Sequence, residues 1–225
     1  MKTRHRFAPA LALGMLAACG SEPAPAPVAV EPGPVPETAP EATAPAPGTV
    51  VAAPDAQARA QAAMKDFAER LRGRLREAMT RDGAPAAVDF CHLEAPRIAE
   101  QVMAEHGVRL GRVAVPGRNR NPGNVAEGWL QELAVSFQAA VDTGGAPEAQ
   151  VAVLREDVPP GIELRMARGI RVEAACLMCH GDNIAPEIAA RLAEHYPGDR
   201  ATGFKEGDLR GLIWAEVPAN PGTTP

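Results

Sequence analysis

Cys176-Leu177-Met178-Cys179-His180 is the stretch around which the chain is organised. It reads C-x-x-C-H, the attachment signature of a c-type haem. The spacing has a chemical reason. Positions i and i+3 are neighbours on one turn of helix, so the two thiols can each add to one vinyl group of a haem. His180 then lies under the iron as an axial imidazole. The same residues fit two other chemistries. Two Cys and a His are three ligands of a zinc site that lacks its fourth. They are also a redox-active C-x-x-C pair whose His lowers a thiol pKa.

Aromatic residues make up 4% of the 225-residue chain, so a large bound ring system would complete a core of small side chains. The four cysteines are Cys19, Cys91, Cys176 and Cys179. Cys19 is accounted for by the N-terminus. Lys2, Arg4 and Arg6 precede an apolar run of 12 residues, Phe7 to Ala18, too short to span a bilayer. The run ends Leu16-Ala17-Ala18-Cys19, which resembles a bacterial lipobox, so residues 1–18 are expected to be removed as a lipoprotein signal peptide and Cys19 to carry lipid. Gly20 follows, with no Asp to retain the protein at the inner membrane. The expected location is therefore the periplasmic side of the outer membrane, anchored by lipid. Export favours haem c attachment, and it favours disulfide chemistry as well.

Residues 19–55 read as the lipidated Cys and a linker, with ten of the 23 prolines between Pro23 and Pro54. Cleavage before Cys19 removes three basic residues and no acid, leaving 20 basic against 28 acidic residues, a formal −8. That balance argues against nucleic acid as a partner.

Asp55 is a plausible N-cap for a helix carrying Met64, Phe67, Leu71, Leu75 and Ala78 at 3–4 spacing and ending near Asp82-Gly83. A second helix follows Pro85, with Val88, Cys91, Ala95, Ile98 and Val102 on its stripe. Pro96 is expected to kink or restart it. Val108–Val115 reads as a strand, 116–124 as a loop rich in Arg and Asn, and Trp129–Ala140 as a third amphipathic helix stopped by Gly144-Gly145. Val151–Leu154 and Ile162–Met166 read as strands joined at Pro159-Pro160-Gly161. A short helix runs from Pro186 to His195, and a last strand covers Gly211–Val217. The expected class is α+β, an antiparallel sheet flanked by helices over residues 56–220, with 221–225 as a disordered tail.

An iron bound by His180 has a second axial position. No Met follows Met178, so a downstream Met ligand is excluded. Met103, Met166, Cys91, His92, His106 and His195 remain. Cys91 and His92 lie on or beside an apolar helical stripe, and spacing does not choose between them.

Four stretches carry a resemblance: Val88-Asp89-Phe90-Cys91, Arg120-Asn121-Pro122-Gly123-Asn124, Cys176-Leu177-Met178-Cys179-His180-Gly181, and Tyr196–Phe204 running into Gly207-Asp208-Leu209-Arg210-Gly211. Together they resemble the single-haem c-type cytochromes and haem sensors with a PAS-like fold. The resemblance implies one covalent haem c with His180 proximal and Cys91 distal, bis-His ligation through His92 being the alternative. It also makes Arg120, Asn121, Asn124, Tyr196 and Arg200 candidates for the haem edge and propionates.

The function expected on this basis is low-potential electron transfer or redox or gas sensing, through an unidentified redox or signalling partner protein in the cell envelope. No substrate turnover is expected, because a Cys-blocked iron lacks the open position a peroxidase needs. A bis-His carrier, a scaffold with structural haem, and a thiol-disulfide oxidoreductase (if no haem is attached) are the competing readings. A homodimer through residues 56–80 is a further expectation.

Overall fold

The structure, a computed structural model, describes residues 55–219. The signal segment, Cys19, the linker up to residue 54 and the tail 221–225 lie outside the described residues. Two long helices come first, α1 (Ala56–Asp82) and α2 (Ala84–His106). Asp55 caps α1 by accepting from the Gln57 N–H at 2.7 Å, which satisfies a donor that no helical carbonyl reaches. Gly83, at φ 86°, breaks the chain between the two helices and Pro85 restarts it. The helix does not restart at Pro96: α2 is one helix through it. Pro96 is exposed, while Ala95, Ile98 and Val102 are buried in one common core. Continuous packing on both sides of the proline offsets its missing N–H.

Strand β1 (Arg109–Ala114), helix α3 (Trp129–Asp142), β2 (Val151–Leu154) and β3 (Ile162–Arg171) follow. Next come a one-turn helix α4 (Leu177–His180), α5 (Pro186–His195) and β4 (Leu209–Pro218). The four strands form one antiparallel sheet in the order β1-β4-β3-β2, so the last strand of the chain is inserted in the middle. The class is α+β, as the pattern of elements predicts.

Alternation along the strands sends side chains to two cores. Ile213, Ala215 and Val217 of β4 join Leu164 and Met166 of β3 under α1 and α2, against Met64, Phe67, Leu71 and Val102. Of the apolar stripe of α1, Ala60, Ala63, Met64, Phe67 and Leu71 are buried in this core, while Leu75 and Met79 are half-buried. On the opposite side Leu212, Val113 and Ala167 pack with Leu130, Ala134 and Phe137 of α3 and with Val172, Ala201 and Phe204. Half-buried Cys176 and Leu177 rest on this second core. A third cluster, Val88, Ile188, Leu192 and Tyr196, fixes α5 on the first turns of α2, and Cys179 packs against it.

One glycine is required by the sheet. Gly211 has φ 155°, and a Cβ there would lie 2.1 Å from the Val113 carbonyl oxygen. It pairs with Ala114 on one side and Ile170 on the other. Gly211→Ala is expected to cost about 2–3 kcal/mol, because the clash is with backbone on a central strand. Urea unfolding of the variant checks this. A cost under about 0.5 kcal/mol, the scale of a neutral surface change, would refute it.

Candidate functional site

The C-x-x-C-H segment folds as a short 3-10 turn, Ala174–Cys176, leading into α4. Gly181 ends that helix by donating its N–H to Leu177 O at 2.8 Å. A strap formed by residues 199–204 then locks onto it. Gly203 N–H donates to Gly181 O at 3.0 Å, and Phe204 N–H to His180 O at 2.9 Å. His180 Nδ1 donates to the Ala201 carbonyl at 2.7 Å. A carbonyl only accepts, so the proton sits on Nδ1 and Nε2 keeps its lone pair. Burial, reinforced by Arg210, Arg120 and Arg112, pushes the His180 imidazolium down to about 3. The ring is therefore a neutral donor at physiological pH.

Cys91, Cys176 and Cys179 are free thiols. Burial pushes the Cys91 thiol up, and the nearby guanidiniums of Arg112 and Arg120 oppose it, while Cys179 adds to the upward shift. Arg112 and Arg120 thus act electrostatically on both Cys91 and His180. His92 does not share that setting. It is exposed, and its ring stacks on His195 with centroids 4.6 Å apart. Tyr196 meets His92 edge-on at 5.4 Å. His195 Nε2 lies 2.7 Å from Asp89 Oδ1, and Arg191 binds both oxygens of that carboxylate at 2.5 and 2.9 Å. The Arg191 hydrogen bonds, ahead of the one from His195, hold the Asp89 carboxyl below its usual range.

Four arginines converge here: Arg112, Arg118, Arg120 and Arg210. Among the described residues the only ion pair they make is Arg120 with Asp199, Nε to Oδ2 at 2.8 Å. Arg210 Nε is buried without a partner, and burial lowers its guanidinium to about 10. Arg118 lies over the Phe204 ring at 3.5 Å and Arg210 at 5.0 Å, and the same ring meets His180 edge-on at 6.3 Å. This is an excess of half-buried positive charge beside a neutral imidazole and three thiols. Such a surplus is costly unless an anion completes it. A cavity of about 850 Å³ between α1 and the β2–β3 side of the sheet touches this region only through Arg112.

Residues 50–218 match the Tll0287-like family. The chain belongs to the Tll0287-like family. Among solved structures it is similar to the crystal structure of the cyanobacterial heme-protein Tll0287, at 28% identity and a TM-score of 0.44. That match covers 56% of this chain and 70% of the other. No curated protein matches it.

Within this Tll0287-like domain the other residues singled out from sequence are distributed as follows. Arg120, beyond its pair with Asp199, donates from Nη2 to the Cys179 carbonyl at 2.6 Å and so braces the motif. Asn121 caps the turn Pro122–Asn124 through the Gly123 N–H at 2.9 Å, and the Asn124 N–H closes that turn on Asn121 O at 3.0 Å. Tyr196 is buried in the α2–α5 cluster, and Arg200 is exposed, with its backbone N–H on Asn119 O at 3.0 Å. Sequence reasoning missed Arg112, Asp199 and Arg210. Arg112 left a signal: it shares the buried side of β1 with Leu110, an inward charge on a strand.

Proposed function

We propose that this Tll0287-like domain is a c-type haem protein of PAS-like fold, serving low-potential electron transfer or redox and gas sensing. Cys176 and Cys179 would hold one haem c covalently, His180 would be the proximal ligand, and Cys91 the distal one. Support at the coarse level comes from the family, whose namesake is a cyanobacterial heme-protein. The observation that carries the finer reading is the Nδ1 bond of His180 to Ala201, which leaves Nε2 free beside two unpaired thiols at i and i+3. A ligating imidazole ordinarily has its other nitrogen held in this way.

The residues present fit the group in charge as well. Its two propionates would meet Arg210, whose Nε is buried without a partner, and Arg112 beside it. Bound haem supplies reversible one-electron chemistry whose potential is tuned by ligand identity and burial. The protein's own part is to orient His180, to present Cys91, and to exclude water with Phe204 and Tyr196. The stacking of His92 on His195 favours Cys91 over His92 as the distal ligand. No turnover of a substrate is part of this reading. The lipobox-like Leu16-Ala17-Ala18-Cys19 supports a location on the periplasmic side, where lipid on Cys19 would tether the domain and a redox or signalling protein of the envelope would be its partner.

The test is expression of the full chain with haem c maturation. The expected result is one haem that survives acid-acetone extraction and gives a pyridine haemochrome spectrum of the c type. Cys176→Ser with Cys179→Ser should abolish that retention. A wild-type chain that releases its haem, or takes none, overturns the proposal and returns the C-x-x-C pair to thiol chemistry.

A further inference from the structure

Asp199 sits where two lines of contact to the motif cross. One line runs through Arg120. Asp199 Oδ2 accepts from Arg120 Nε at 2.8 Å, and the same guanidinium reaches the Cys179 carbonyl at 2.6 Å. The other runs through Ala201. Asp199 Oδ1 accepts from the Ala201 N–H at 2.7 Å, and the Ala201 carbonyl accepts from His180 Nδ1 at 2.7 Å. Both side chains of the Arg120–Asp199 pair are 12% exposed, so neither bond competes freely with water. The Asp199 N–H is itself tied to Tyr196 O at 2.9 Å.

We infer that Asp199 is the positioning residue of the site, fixing the ring plane and tautomer of His180 through Ala201 and the backbone of Cys179 through Arg120. It is also the carboxylate paired within the group of Arg112, Arg118, Arg120 and Arg210. The physical argument has two separable parts. Pinning the Ala201 N–H fixes the conformation of that residue, so its carbonyl keeps its aim at Nδ1. Without the pin, the carbonyl and the imidazole are free to turn. The second part is charge. A carboxylate close to a redox centre favours the oxidised, more positive state, and its removal favours the reduced one. This second part rests on the haem reading above, whereas the first does not.

Two variants separate the parts. Asp199→Asn keeps an oxygen to accept from Ala201 and removes the charge. Asp199→Ala removes both. The first readout is the exchange rate and ¹⁵N shift of the His180 ring N–H, by NMR on the full chain, haem-free and haem-loaded. The wild type should show a slowly exchanging Nδ1–H. Asp199→Ala should speed that exchange about tenfold or more, with Asp199→Asn near wild type. The second readout is the ferric-to-ferrous ratio of the haem-loaded protein at one fixed applied potential. Asp199→Asn should shift it about threefold or more toward ferrous.

If both variants exchange within about twofold of wild type, the positioning role is overturned. If Asp199→Asn leaves the ratio unmoved, the electrostatic role is overturned. A lower melting temperature with both readouts unchanged would make Asp199 a purely structural residue and would overturn the inference as well. If the chain binds no haem, the proposed function fails, while the ring exchange in the haem-free chain still decides whether Asp199 orients His180.

Discussion

Phe204→Ala is expected to destabilise the domain by about 3–5 kcal/mol. Phe204 is 1% exposed and among the largest fully buried side chains. Deleting a buried ring loses its transfer free energy and leaves a cavity that the surroundings fill only in part. Here the surroundings are unusual. Arg118 and Arg210 lie over the ring, and His180 meets its edge. Cation–π attraction offsets part of the cost of keeping two guanidiniums together, and it is worth more where water is excluded. Removing the ring leaves them facing a void, with Arg210 Nε already unpartnered. The cost should therefore fall at the upper end of the range. Phe204→Leu refills most of the volume and should cost about 1.5 kcal/mol or less for packing, plus the lost cation–π attraction. Urea unfolding of the three proteins gives both differences. An alanine variant within about 1 kcal/mol of wild type would show that the ring does not organise this site.

The contrast between Phe204 and the arginines also shows what the sequence can reveal. Local signals were legible. Asp55 as N-cap, the stop at Asp82-Gly83, the Pro186–His195 helix and the turn at Pro159-Pro160-Gly161 each follow from side-chain chemistry within a few residues, and all stand in the structure. The insertion of β4 between β1 and β3 was not legible, because any of the strands can satisfy the alternation rule and the choice is made by non-local pairing. The C-x-x-C-H motif announced itself, since its chemistry is written in consecutive residues. Arg112, Asp199 and Arg210 did not. Asp199 and Arg210 lie in stretches that read equally well as a strand end or a turn, and Arg112 is one inward charge within a strand. Their importance comes from converging on His180 across separations of up to 68 residues, from Arg112 to His180. The continuous α2 shows the limit from the other side. The restart that Pro96 invites does not occur, because Ala95, Ile98 and Val102 pack into one core on both sides of it, which a local rule does not see.

Cys91→Ala in the haem-loaded protein is expected to abolish a low-spin ferric thiolate signal in EPR and to raise the midpoint potential. His92→Ala should leave both nearly unchanged. A thiolate donates charge to ferric iron, so losing it favours the ferrous state. The shift should exceed about tenfold in the ferric-to-ferrous ratio at fixed potential, or about 59 mV for a one-electron couple. The protein prepares the two adjacent residues very differently. One residue along a helix is about 100° of rotation, and that turn separates two environments. Cys91 is half-buried, within the electrostatic reach of Arg112, Arg120 and Cys179. His92 is turned outward, with its ring on His195 and His195 on Asp89. For His92 to become a ligand it must leave that stack and the helix must rotate, against the Arg191–Asp89 pair that ties α5 to α2. The reverse pattern, a large change in His92→Ala and little in Cys91→Ala, would make the protein a bis-His carrier. It would also mean that the α2–α5 contact gives way when the haem is attached. Two tests then distinguish a carrier from a switch in the thiolate case: whether the ferrous wild type keeps its sulfur ligand, and whether it binds CO. Retained sulfur and no CO binding mark a carrier, whereas loss of sulfur with CO uptake marks a sensor whose distal ligand is released on reduction.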